Sequence, residues 1–358
     1  MTQISIDLAA LGWDDDWQAA FSASDDEGSP GRVTRVDRGL CGVLTADGMT
    51  RASFGGAVLD GVAADSTSMP CTGDWCSVRI WTDGPATIER LLPRRSAVVR
   101  AEASGTSHGQ VLAANVDYVA IVVALHPEPN LARIERFLSL AWESGGMPLV
   151  VLAKADMVGD AEELAEDVRL TAPGVTVMLT STVTGEGIDQ LGELCAGGKT
   201  MALLGASGHG KSSLTNALMG ADVLGTRQIR EDGKGRHTTV RRELHVLPAG
   251  GAVIDTPGLR GVGLQDSAEG IAATFPDIEA LISYCRFSDC SHTREPGCAV
   301  QQAIVDGTLP MRRLESWQAL QREQAWMARR SDVRLRAEER MKWKQVSKHN
   351  RANRKLHP

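Results

Sequence analysis

Three rhythms of apolar and polar positions follow one another along the 358 residues. From about residue 31 to 100, short apolar runs at 32–36, 42–45, 75–81 and 86–92 are broken by glycine and aspartate. The turn signals Ala46-Asp47-Gly48 and Thr82-Asp83-Gly84 lie between runs. Short strands at this spacing predict a small all-β unit, and a five-stranded barrel of the oligonucleotide-binding (OB) type fits the length. From about 105 to 280 the pattern changes. Residues 118–125 are apolar throughout, as a strand buried on both faces requires. Further strands are predicted at 148–152, 175–179, 201–204 and 252–254, with helices at 131–142 and 161–170 between them. That alternation predicts a doubly wound α/β domain with a largely parallel sheet. Beyond about 280 the strand signals stop, and Leu314, Trp317, Leu320 and Met327 fall near one face of a helix.

Composition sharpens this picture at the two ends. Hydrophobic residues at 42% and charged residues at 23% are ordinary for a globular chain and leave out a disordered one. The longest apolar stretches, such as 116–125, have about half the length needed to cross a bilayer. The start lacks the basic-then-apolar pattern of a secretory signal. Seven cysteines, an odd number without framework spacing, point to a reducing compartment, the cytoplasm. The net charge of −7 conceals an asymmetry: residues 329–358 hold eleven Lys and Arg against three Asp and Glu, which is +8 there and −15 elsewhere. Clustered cations suit a polyanionic partner, although a solvated helix face is the plainer use of such a run. At the other end, acidic clusters at 14–16 and 25–27 beside Gly28, Ser29 and Pro30 predict a mobile arm. The organisation expected is therefore an acidic arm over 1–30, an OB-like β-barrel over 31–103, an α/β domain over 104–278, and a mainly helical metal-binding domain with a basic tail over 279–358.

The chemistry concentrates after the strand at 201–204. Gly205-Ala206-Ser207-Gly208-His209-Gly210-Lys211-Ser212 matches G-x-x-x-x-G-K-[ST], and Ser213 continues into a helix. Strand, glycine-rich turn and helix together form a P-loop, whose backbone N–H groups cradle phosphates at the positive end of a helix dipole. Lys211 supplies a point charge for the β- and γ-phosphates, and the Ser212 hydroxyl is a ligand for Mg²⁺. Asp255-Thr256-Pro257-Gly258 ends the strand at 252–254. The Asp255 carboxylate is placed to hold Mg²⁺ through water, and the Gly258 N–H to approach the γ-phosphate. Between them Gly233-Lys234-Gly235-Arg236-His237-Thr238-Thr239 reads as a loop that orders around the metal, with Thr238 or Thr239 giving a second hydroxyl ligand. Base-reading elements come earlier in the chain. Guanine offers two donors, N1–H and its amine, that one carboxylate accepts together. In Ala153-Lys154-Ala155-Asp156, Asp156 is that carboxylate and the Lys154 stem lies along the base. In Thr180-Ser181-Thr182, a backbone N–H near Ser181 is placed for the guanine O6.

This order of motifs resembles the circularly permuted GTPases, in which the base-reading loops precede the P-loop and Asp-x-x-Gly comes last. Every motif still ends its strand, so the rewiring preserves the crevice. Two positions depart from the pattern. Ala153 stands where the family carries Asn, and Leu259 where many GTPases carry a water-orienting Gln. An apolar side chain cannot orient water, so unaided turnover is expected to be slow unless His237 substitutes.

After the α/β region, Cys285-x4-Cys290-x-His292-x5-Cys298 gathers three thiols and an imidazole within fourteen residues. That set makes a closed tetrahedral zinc site, structural because no coordination position stays open. Cys71 and Cys76 repeat the C-x4-C spacing without further ligands and read as ordinary barrel residues. A β-barrel, a permuted GTPase and this cysteine spacing in succession resemble the ribosome small subunit-dependent GTPases, the RsgA (YjeQ) family. Gly73-Asp74-Trp75, Asn115-Val116-Asp117 and Gly235-Arg236-His237-Thr238-Thr239 add to the resemblance. It implies hydrolysis of GTP to GDP, late action in small-subunit maturation, stimulation by that subunit and contact with its rRNA. No membrane role and a monomer are expected. Two other readings compete: a P-loop ATPase or kinase acting on a small molecule, and a nucleic-acid-binding module whose nucleotide is only structural.

Overall fold

The structure, a computed structural model, describes residues 6–24, 27–82, 84–101, 109–222, 224, 242–258 and 268–331. The expected switch residues His237, Thr238 and Thr239, then Leu259, and the tail beyond residue 331 lie outside the described residues.

Of the segment expected to be a mobile acidic arm, residues 6–22 are packed instead, while 1–5 and 25–26 lie outside the described residues. Asp14 caps helix α1 (Asp15–Ser22) by accepting from the Trp17 N–H at 2.9 Å. Leu11 and Trp17 are buried in a cluster with Leu44, Trp75 and Leu92. The Asp14 carboxylate takes both Arg95 Nη atoms at 2.6 Å, and this partner lowers its pKa to about 2. The acidic residues were visible in sequence, but the apolar stripe of Leu11, Trp17 and Phe21 among them decides the outcome.

A five-stranded barrel follows: β1 (Ser29–Asp37), β2 (Leu40–Thr45), β3 (Gly48–Phe54), β4 (Trp75–Ile80) and β5 (Ala86–Leu91). Its order β1-β2-β3-β5-β4 closes through a β1–β4 pairing, and helix α2 (Gly56–Ala64) sits between β3 and β4. The predicted OB-like closure is present. Val33, Val43, Cys76, Val78 and Ile88 fill the interior. Burial raises the Cys41 and Cys71 thiols to about 12, which keeps both as inert core residues.

The hairpin β6 (Ala97–Ala101) and β7 (Gly109–Ala114) spans the expected boundary at 103/104. Its Val98, Leu112 and Ala113 pack into the core of the next region. There the sheet runs β8 (Tyr118–Ala124), β9 (Met147–Ala153), β10 (Thr176–Thr180), β11 (Thr200–Leu204), β12 (Glu243–Val246) and β13 (Ala252–Asp255), in the spatial order β10-β9-β8-β11-β13-β12. Only β12 is antiparallel to its neighbour, and Arg35↔Glu243 joins it to the barrel. Helices α3 (Leu131–Glu143), α4 (Ala161–Thr171), α5 (Ile188–Glu193) and α6 (Lys211–Met219) link the strands. They cover two faces, one core holding α3 side chains and the other α5 and α6 side chains. Strand β11 lies in mid-sheet between the first strand, β8, and the last, β13. This is a topological switch point, where α/β sheets open a crevice.

Helices α7 (Ala268–Thr274), α8 (Pro276–Ile282), α9 (Ala299–Val305) and α10 (Met311–Ser331) complete the described chain. The expected division at 278/279 is not a packing boundary. Cys298, Val300, Leu309, Leu314 and Leu320 share one core with Ile134, Phe137 and Leu138 of α3.

Candidate nucleotide site and metal centre

Parallel register brings the motifs to one edge. Ala153 pairs with Thr180, Leu203 with Asp255, and Leu204 with Ile121, so four loops leave the carboxyl ends of adjacent strands together. Within the P-loop, Gly205, Gly208 and Gly210 adopt φ of 154°, 85° and 98°. A Cβ on Gly205 would also stand 2.3 Å from the Val122 carbonyl, so glycine is required there twice over. The Lys211 ammonium is buried and donates to the Gly205 and Ala206 carbonyls at 3.0 Å each. Burial lowers its pKa to about 8, with Asp255 working the other way.

Asp255 is fully buried, and its Oδ2 accepts from the Ser212 hydroxyl at 2.8 Å. The two residues expected at Mg²⁺ therefore face each other across the β11–β13 pair. Thr256 donates to the Leu203 carbonyl at 2.6 Å and anchors that loop. A Cβ on Gly258 would lie 2.5 Å from the Ser207 backbone, so only glycine lets this loop touch the P-loop. His209, between the phosphate-loop glycines, does not face the phosphate side as a free base. Its Nδ1–H donates to the Val122 carbonyl at 3.2 Å, and burial lowers its pKa.

The base-reading loops meet as well. Ser181 is buried, and its hydroxyl donates to Asp156 Oδ1 while accepting the Val183 and Thr184 N–H groups at 3.2 Å. The Ser181 N–H itself is engaged by the Glu186 carbonyl at 3.0 Å, so any donor to a guanine O6 must come from a neighbouring residue. Lys154 adopts a left-handed φ of 64°, which turns its ammonium onto the Gly208 carbonyl at 3.1 Å. That bond ties the base-reading loop to the P-loop. Ala153 is buried beside Gly210, with its Cβ 3.7 Å from where a Gly210 Cβ would stand. Ala155 is buried behind the loop, whereas Asp156 is exposed. Ser213 sits half-buried in the first turn of α6.

Sequence reasoning missed three supports: the Lys154 bond to Gly208, the Thr256 anchor, and Asn216, whose side chain holds both the carbonyl (2.7 Å) and N–H (2.8 Å) of Leu224. None has a motif, because each depends on a backbone group brought close only by folding.

In the C-terminal region the ligand atoms of Cys285, Cys290, His292 and Cys298 lie within 4.8 Å of one another. His292 Nδ1 stands 3.6 Å from both Cys285 Sγ and Cys298 Sγ, and these sulfurs are 3.9 Å apart. Zinc–ligand bonds of about 2.0–2.3 Å put tetrahedral ligands about 3.5–3.8 Å apart, so the donor set fits zinc in spacing and in chemistry. A left-handed His292 (φ 57°) makes the bend, and Gln301 Nε2 holds its carbonyl at 2.6 Å. Trp317 of α10 stacks edge-on to the imidazole at 5.8 Å.

Residues 91–265 match the family model described as RsgA GTPase. The chain is 51% identical over 350 residues to the small ribosomal subunit biogenesis GTPase RsgA of Streptomyces avermitilis, covering 96% of this chain and 93% of that one. It is 51% identical over 342 residues to the protein of the same name in Streptomyces coelicolor, covering 94% and 92%. Among solved structures it resembles YjeQ from Thermotoga maritima, with a TM-score of 0.60 and 26% identity across 82% of this chain and 96% of that one. Barrel, permuted sheet, P-loop and relatives agree: the chain belongs to the RsgA family of circularly permuted GTPases.

Proposed function

We propose that the protein is a GTP-driven switch that docks on the small ribosomal subunit late in its maturation and is released when GTP becomes GDP and phosphate. The observation that carries the reading is the Ser212–Asp255 pair beside the P-loop lysine, at an edge shared with the Asp156–Ser181 pair. Relatives at 51% identity are named for small-subunit biogenesis, which favours this over a small-molecule ATPase or kinase. In our reading Gly205 to Ser213 hold the phosphates, and Lys211 carries their charge. Ser212 with Thr239, or else Thr238, holds Mg²⁺ with Asp255 behind it, and Gly258 meets the γ-phosphate. Ala153 to Asp156 and the Ser181 loop hold guanine. The partner is the subunit and its rRNA, met by the barrel and the basic tail, and the protein acts as a cytoplasmic monomer. Among the described residues no helix is long and apolar enough to cross a membrane.

GTP turnover measured with and without purified small subunits tests the docking role. Slow turnover alone and strong stimulation at low salt are expected, because Leu259 leaves the attacking water without an orienting group. Docking weakens steeply as salt rises, since phosphate neutralisation releases counterions. Truncation after residue 328 reduces subunit binding and leaves unstimulated turnover nearly unchanged. Absence of stimulation at low salt refutes the ribosomal role while leaving the GTPase assignment standing.

We further propose one structural Zn²⁺ held by Cys285, Cys290, His292 and Cys298. Its removal does not stop at residue 279, because Cys298 and Leu314 are built into the core that holds α3. A strong chelator is therefore expected to lower the unfolding temperature of the whole P-loop region and to weaken nucleotide binding. Metal analysis of native protein finding no zinc rules the site out.

A further inference from the structure

We propose that Arg313 is a positioning residue that couples helix α10 to the nucleotide site through the helices packed behind it. The residue is buried, 2% exposed, and each of its five N–H donors is used. Nη1 donates to Glu135 Oε1 at 2.9 Å and to the Thr171 carbonyl at 2.8 Å. Nη2 donates to the Thr274 carbonyl and to Asp277 Oδ1, both at 2.9 Å, and Nε donates to Asp277 Oδ2. Arg312 adds a bond to Glu135 Oε1 at 3.1 Å, so two guanidiniums face two carboxylates, one of them fully buried.

Glu135 leads directly back to the crevice, and α7 is tied to the same helix α3 by a Ser139–Thr274 hydroxyl contact at 3.1 Å. Glu135 is on α3, whose first turn, with Asn130 and Arg133, walls a cavity of about 320 Å³ against Lys154, Ser207 and Gly208. Thr171 ends α4, the helix that follows the Asp156 loop. Thr274 ends α7 and Asp277 opens α8, and residues 259–267 between Gly258 and α7 lie outside the described residues. From the other side, α10 reports on the C-terminal region: Trp317 packs on His292, its Nε1–H donates to Glu279 at 3.2 Å, and the helix runs to Ser331 at the start of the basic tail. A displacement of α10 by a bound partner thus moves one planar group that α3, α4 and α7/α8 all grip. Only a guanidinium fork meets this geometry; a lysine offers three donors from one point. That a partner displaces α10 rests on the docking role proposed above, whereas the coupling itself does not.

Coupling is reciprocal, so nucleotide in the P-loop must also act on α10. Amide hydrogen exchange across residues 314–320 is expected to differ about fivefold or more between the GDP form and the form with a non-hydrolysable GTP analogue. Arg313→Lys is expected to reduce that difference below about twofold, with GDP affinity within about threefold of the parent. A difference that persists undiminished in Arg313→Lys, or that is absent in the parent, overturns the proposal. If Arg313→Lys does not fold, Asp277→Asn is the second variant, because its half-exposed carboxylate can be neutralised without leaving Glu135 alone in the core. An undiminished difference there overturns the proposal equally. Small subunits form a separate arm: a parent that they fail to stimulate defeats the docking role and leaves the exchange result to decide the coupling.

Discussion

Lys211→Met is expected to abolish GTP hydrolysis and, at pH 7, to make the nucleotide-free protein more stable than its parent. Both effects come from one buried ammonium. Its pKa, lowered from 10.5 to about 8, corresponds to roughly 3 kcal/mol against the charged form. The two carbonyls that it meets recover part of this, so a gain of about 1–3 kcal/mol is expected from an apolar side chain of similar length. The sign of the pH dependence follows. A lysine whose folded pKa lies below its unfolded value penalises the fold fully below about pH 8, and the penalty fades as pH rises to 10.5. The stability gap between variant and parent therefore closes across pH 8–10.5. GTP at about 1,000 times its Kd reverses the order, because it adds about 4.1 kcal/mol to a parent that binds it and little to a variant that has lost its phosphate-facing charge. Loss of the phosphate-facing charge lowers single-turnover hydrolysis by at least about 10²–10³-fold. Thermal unfolding at several pH values, with and without GTP, checks the first part. A variant less stable than the parent at pH 7 would show that the lysine is part of the fold's own support rather than held in reserve for phosphate.

The second large effect concerns the base. Asp156→Asn is expected to weaken GTP binding by about 10–100-fold and to gain xanthosine triphosphate, whose ring presents an acceptor where guanine presents an amine. The exposed carboxylate accepts from the buried Ser181 hydroxyl through Oδ1. Asparagine can accept that same bond, so the loop keeps its shape and the change reports on base recognition. Competition among GTP, ATP and xanthosine triphosphate is the measurement. A parent that binds ATP and GTP equally refutes Asp156 as the discriminating group. Ala153 does not alter the direction of this prediction, because the brace between the base-reading loop and the P-loop runs here through Lys154 to Gly208.

The GTPase lineage was legible in the sequence because its chemistry is written in consecutive residues. A P-loop needs glycines at fixed offsets from one lysine, and Gly205, Gly208 and Gly210 show why in their left-handed or crowded backbones. A zinc knuckle likewise needs four donors within a short span, and the fold brings Cys285, Cys290, His292 and Cys298 within 4.8 Å. The permutation was legible too, as motif order reads directly off the chain. The small barrel and the alternating α/β region followed from the spacing and length of apolar runs, which report which faces are buried, whereas the central place of β11 appears only in the sheet order.

Other features were decided only by tertiary structure. Acidic residues around Leu11 and Trp17 read as an arm, yet burial against Trp75 and Leu92 outweighs the charge, and Arg95 neutralises Asp14 from eighty-one residues away. The line expected at 278/279 does not divide the core, because α3 and the C-terminal helices bury their apolar faces against one another. Arg313 carries no motif at all. Its meaning lies in Glu135, 178 positions away, and in carbonyls at the ends of two other helices. Local sequence specifies what a loop can bind, because geometry over a few residues is set by backbone sterics. Which helix holds that loop in place is a choice among distant partners, made only when the whole core packs.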